Sequence, residues 1–149
     1  MLKYVLTYII FVLCLGMAVP ALSEELSAEQ EKRLEAGIRE EVQNEIAPWR
    51  ANHSKSGMNL DVRFGTPEWG FSFAPGTCSV TLAFPKGPME WQEASRFQMN
   101  AVKKILGVFT AEGVPLDTLT FTLFSNRGKT LEGIASYAAS DDMIRWKPK

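Results

Sequence analysis

Three short runs in the middle of the chain alternate large apolar residues with small or polar ones. Leu60, Val62 and Phe64 alternate with Asp61 and Arg63. Trp69, Phe71 and Phe73 alternate with Gly70 and Ser72, and Cys78, Val80, Leu82 and Phe84 alternate with Ser79, Thr81 and Ala83. A side-chain period of two predicts strands, and the one-sided pattern predicts an antiparallel sheet with one face buried and one in water. Pro75-Gly76 is turn chemistry, so the second and third runs form a hairpin.

The period then changes. From Pro88 to Glu112 the apolar residues Trp91, Ala94, Phe97, Ala101, Ile105, Val108 and Phe109 fall on one side of a helix, with Arg96, Asn100, Lys103 and Gly107 on the other. Glu90 and Glu93 suit the positive end of the helix dipole, and Gly113 is placed to end the helix. Beyond it Leu119, Phe121 and Leu123 alternate with Thr118, Thr120 and Thr122. Asn126-Arg127-Gly128 turns the chain, Leu131 to Ala139 reads as a strand, and Met143 to Trp146 as the last one, with Ile144 and Trp146 facing inward.

Ahead of the strands, Leu34, Ile38, Val42 and Ile46 recur every fourth residue. On a helix of 3.6 residues per turn such a stripe drifts by about 40° per step, giving a thin slanting seam rather than the three-four pattern of a coiled coil. Ser27 and Gln30 form a capping-box pattern at its start, and Pro48 stops it. The whole pattern predicts an α+β fold of order α-βββ-α-βββ, in which an antiparallel five- or six-stranded sheet is covered on one face by one long helix. The organisation expected is a leader over 1–23, an acidic peripheral helix over 24–50, a linker over 51–59 and an α+β domain over 60–149.

The leader is read from its order: Met-Leu-Lys, an uncharged apolar run from Tyr4 to Val19, then Pro20-Ala21-Leu22-Ser23. This is the build of a secretory signal peptide, with cleavage after Ser23 or after Ala21. The run is shorter than the about 20 apolar residues that span a bilayer. The expectation is therefore an exported protein, periplasmic or secreted, and membrane-anchored through residues 4–19 only if the leader is retained. Cys14 follows Phe-Val-Leu, not the small residues expected of a lipid-attachment site.

Charge is uneven along the chain. Residues 24–49 hold eight Glu against Lys32, Arg33 and Arg39, whereas residues 50–149 hold twelve basic and nine acidic residues. Neither part is basic enough for nucleic acid. After cleavage Cys78 is the sole cysteine, so packing alone must hold the domain together.

The scarce residue types limit the chemistry. His53, in the polar stretch, is read as a solvated loop residue, and Cys78 as a buried thiol with the parity of Val80. The chain contains no nucleophile elbow, phosphate loop or dinucleotide fingerprint. Asp141-Asp142 is read as a turn. Trp69, Trp91 and Trp146 are assigned to the core, while Trp49 lacks an evident burial site. The wet face of the sheet is expected to carry Asp61, Arg63, Ser72, Thr81, Thr120, Thr122 and Arg145.

These readings lead to a non-enzymatic exported protein, without cofactor or metal, that binds an envelope protein or a second copy of itself. Two features motivate contact: the thin helix seam and open sheet edges. The interaction surface expected is Leu34, Ile38, Val42, Ile46, Trp49, Arg63, Thr120 and Thr122. Two rival readings make their own demands. A small-ligand carrier needs a pocket lined by Phe97, Phe121 and Tyr137. A carboxylate enzyme would draw on Asp61, Asp141 and Asp142.

Overall fold

Ser27 starts the first helix. Its hydroxyl accepts from the Gln30 amide at 3.2 Å, and the Gln30 side chain accepts from the Ser27 amide at 2.9 Å, so two orphan donors are satisfied reciprocally. The computed structural model describes residues 24–47 and 60–149. In chain order these form α1 (Ala28–Ile46), α2 (Leu60–Phe64), β1 (Glu68–Ala74), β2 (Thr77–Ala83), α3 (Trp91–Glu112), β3 (Thr118–Ser125), β4 (Thr130–Ala138) and β5 (Met143–Pro148). The leader, its Ala21 and Ser23 cleavage points, Trp49 and the whole of the expected linker, with His53, lie outside the described residues.

The protein is α+β, with one five-stranded sheet in the order β1-β2-β3-β4-β5. Pro75-Gly76 makes the expected hairpin between β1 and β2, and β3–β4 and β4–β5 are also antiparallel. The pair β2–β3 is parallel, so the sheet is mixed, not antiparallel as the pattern predicted. The cause is α3, which crosses over between them: a helical connection carries the chain back to the end of the sheet where β2 began, and β3 then runs alongside it in the same direction.

Two helices cover the inner face rather than one. α3 lies over β3, β4 and β5, and α1 packs on α3. Leu34, Ile38, Val42 and Ile46 are wholly buried in the same core as Val80, Leu82, Phe121 and Leu123. Each such side chain stabilises the fold by about 1.5–3 kcal/mol on burial. Four of them match the net stability of a typical domain, about 5–15 kcal/mol. α1 is therefore part of the domain, and the peripheral helix expected from its acidic sequence is corrected. Gly37 has its reason here: a Cβ at that position would lie 2.9 Å from Val108 Cγ1, so glycine is what lets the two helices meet.

Leu60, Val62 and Phe64 are the second correction. They belong to a five-residue helix, α2, and not to a strand. Positions i and i+4 share a side under both periods, so Leu60 and Phe64 are buried either way. Val62, which a strand would turn inward with them, is 68% exposed. The observed order is thus α-α-ββ-α-βββ.

α3 begins at Trp91 with Glu90 at the N-cap, later than the Pro88 start expected from sequence, and the Gly87–Pro88 peptide is cis. It ends at Gly113, whose φ of 66° permits the left-handed cap that closes the helix.

Candidate polypeptide-docking edge

The sheet has two outer strands, and their sequences differ in kind. β5 reads Met-Ile-Arg-Trp-Lys-Pro. Arg145 and Lys147 place two positive charges on it, and Pro148 lacks a donor, which are the devices that blunt an edge against pairing. Its Trp146 is tied inward, donating its indole N–H to Gln98 Oε1 at 2.9 Å. Arg145 is ion-paired with Asp141.

β1 reads Glu-Trp-Gly-Phe-Ser-Phe-Ala and carries neither Lys, Arg nor Pro. Among the described residues no strand pairs its outer side. Its inner face is a ladder of three half-buried rings. Trp69 and Phe71 stack with centroids 5.7 Å apart, and Phe71 and Phe73 with centroids 6.3 Å apart. Alternation puts all three on one side, in register with Leu82, Val80 and Cys78 of β2. Phe73 reaches Phe109 of α3. Above the other two rings stands Arg39 of α1, its guanidinium 5.5 Å from the Trp69 centroid and 4.8 Å from that of Phe71. A cation over a ring face is attracted by the ring quadrupole. α1 thus holds the ladder from above while the rings stay half-buried. On the outer face Gly70 and Ser72 are small and exposed.

The buried polar groups Gln98, Ser125 and Glu132 are engaged in holding the fold. Gln98, wholly buried on α3, donates to the carbonyls of Phe121 and Gly133 at 3.0 and 2.8 Å. Glu132 is the extra residue of a bulge, since Leu123 pairs with Gly133 and Phe124 with Leu131. The bulge carries its carboxylate inward. There it accepts from Ser125 Oγ, from the Met89 amide at 2.9 Å and from Lys149 Nζ at 3.2 Å, binding the β4 bulge to the loop before α3.

The expected site residues fall into different places. Leu34, Ile38, Val42 and Ile46 are core and offer no surface. Thr120 and Thr122 do lie on the uncovered face, beside Ser79, Thr81, Ser136 and Ile134. Arg63 is on α2 rather than on the sheet, paired with Glu93 and lying over the Phe64 ring. With Glu90, Gln92, Glu93 and Arg96 it lines an open cleft of about 400 Å³ in which both signs of charge are present. Trp91, assigned to the core from sequence, is 64% exposed and leans on Trp146 with centroids 6.5 Å apart.

Phe97 and Phe121 are wholly buried and in edge contact at 5.9 Å, so the space required by a carrier pocket is filled by the rings themselves. The carboxylates of the enzyme reading each hold a local partner. Asp141 accepts from the Met143 amide at 3.2 Å and pairs with Arg145, which holds its carboxyl below the usual carboxylate range. Asp142 accepts the Tyr137 hydroxyl at 3.0 Å, and this bond raises the phenol above its usual range. Asp61 accepts from the Val62 amide. Burial pushes the Cys78 thiol up to about 12, which keeps it protonated near neutrality.

Among the described residues no cluster of three or more His, Cys, Asp or Glu could hold a metal ion. Nor is any described helix long and apolar enough to cross a membrane. Comparison with protein-family models, curated proteins and solved structures found no match.

The sequence had shown Trp69, Phe71 and Phe73 as a one-sided strand without marking it as an edge. Position at an edge depends on which strands pair, and that follows from the crossover. The signal that was available is compositional: β1 is the outer strand that lacks the Lys and Pro found in β5.

Proposed function

We propose that this is an exported, non-enzymatic protein of the cell envelope that acts by binding another polypeptide along the free edge of β1. The observation that carries this is the contrast between the two outer strands. β5 is blunted by Arg145, Lys147 and Pro148, while β1 offers an unblunted main chain flanked by half-open rings. An extended segment laid along such an edge gains main-chain hydrogen bonds, and its alternate side chains meet the ring ladder. Of the two features that motivated a binding role, the helix seam is consumed by the core and the open edge stays.

The non-enzymatic part is supported by the employment of the acids. Glu132, Asp141 and Asp142 each serve a structural partner. Export rests on the order of charges and apolar residues over 1–23, and N-terminal sequencing of the mature protein, starting at Leu22 or Glu24 rather than Met1, checks it.

The docking edge is tested by placing a photo-crosslinking amino acid at Ser72 on β1 or at Lys147 on β5 in the full chain, expressed in its own host. Adducts with a polypeptide are expected from Ser72 and not from Lys147. Adducts confined to Lys147, or none from Ser72, would overturn the reading.

A further inference from the structure

We infer that the polypeptide taken up by β1 is a second copy of this chain, joined antiparallel about a two-fold axis at Phe71 to make one continuous ten-stranded sheet. This rests on the reading of β1 as a docking edge and names its occupant. β1 runs from Glu68 to Ala74, so Phe71 is its midpoint, and pairing the strand with itself over its full length sets Phe71 opposite Phe71 of the partner. Trp69 then faces Phe73, Gly70 faces Ser72, and Glu68 faces Ala74, each twice.

That register is self-complementary on both faces. On the inner face it sets rings against rings, extending the existing Trp69–Phe71–Phe73 ladder. Aromatic cross-strand pairs stabilise antiparallel strands. On the outer face it sets a glycine beside a serine, so nothing bulky holds the backbones apart. The single charge on the strand, Glu68, faces an alanine, so no like charges are opposed across the junction. The other edge explains why assembly stops at two. Among the described residues, a copy joined through β1 leaves β5 as its outer strand, whose Arg145, Lys147 and Pro148 discourage a further one. An isologous contact of this kind closes on itself.

The register gives a charge-pattern test. Gly70 and Ser72 are exposed, and a Cβ at Gly70 meets Thr81 Cβ at an ordinary 3.5 Å, so both positions accept a larger side chain within the monomer. In the double variant Gly70→Lys/Ser72→Lys the two-fold register opposes like charges at two places. In Gly70→Lys/Ser72→Glu it opposes unlike charges at the same places. Size-exclusion chromatography with light scattering of the full chain, as processed by its host, should give twice the mature chain mass for the wild type. The Lys/Glu variant should keep that mass and the Lys/Lys variant should fall to one chain mass, with the near-ultraviolet circular dichroism of the tryptophans retained.

A wild type of one chain mass at every concentration overturns the inference, and so do double variants that behave alike. The two readings fail separately. Ser72 adducts of a foreign mass, with a monomeric wild type, leave the docking edge standing and remove the second copy. Absence of Ser72 adducts removes both.

Discussion

Gln98 occupies a position where the helix pattern calls for an apolar residue, and three groups depend on it. The Phe121 and Gly133 carbonyls and the Trp146 indole each lose a hydrogen bond if it is replaced. Buried groups left without a hydrogen bond cost roughly 1–3 kcal/mol each. Gln98→Leu should therefore destabilise the protein by about 3 kcal/mol in urea unfolding, despite its greater apolarity; a loss below about 1 kcal/mol would mean the network contributes little. Cys78 makes a second prediction. Burial raises its folded pKa to about 12, above the 9.0 of an exposed thiol. A raised value means the stability it contributes is complete below 9.0 and is lost as pH rises toward 12. Cys78→Ala should cost stability near neutrality yet flatten the alkaline fall, and native Cys78 should react with iodoacetamide at least about a hundredfold more slowly than in the unfolded chain. Some residues were legible from sequence: the Ser27–Gln30 box, the Asp141 turn and the inward parity of Cys78 all rest on local chemistry. Trp91 was not, because it is the first residue of α3, where the helix supplies no preceding turn to cover it.

The elements differ in how far their patterns decide them. β2 and β3 alternate over seven and eight residues, and a helix cannot imitate that. α2 has five residues, with Leu60 and Phe64 at a spacing common to both periods, so the local pattern could not choose. α1 posed another problem, since a four-residue stripe among glutamates reads as a helix without saying what covers it. Its partner is α3, and the slant of the seam is what a crossing helix requires. Ile38→Ala should then cost about 2–5 kcal/mol, as a core truncation does. Ser27→Ala should cost about 1 kcal/mol, confined to the cap. Both can be read by thermal unfolding, and an Ile38→Ala variant as stable as the wild type would return α1 to the periphery.

Among the described residues the molecule is a sheet with α1 and α3 on one face, a hydroxyl-rich face opposite, and two unlike edges. Its class was visible in the sequence, because the strands and helices announce themselves by period. Its topology was not. Strand patterns do not state their neighbours, and the parallel β2–β3 pair, which leaves β1 outermost, comes from the crossover through α3. The place of β1 at the edge was hidden for the same reason, although its residues had been read correctly as a one-sided strand. The edge can be watched directly by amide hydrogen exchange on the full chain over a range of protein concentrations. Protection at Trp69 to Phe73 should rise with concentration and fall on dilution, while that of Met143 to Lys147 stays constant. Exchange in β1 that ignores concentration, or protection gained in β5 instead, would contradict the account.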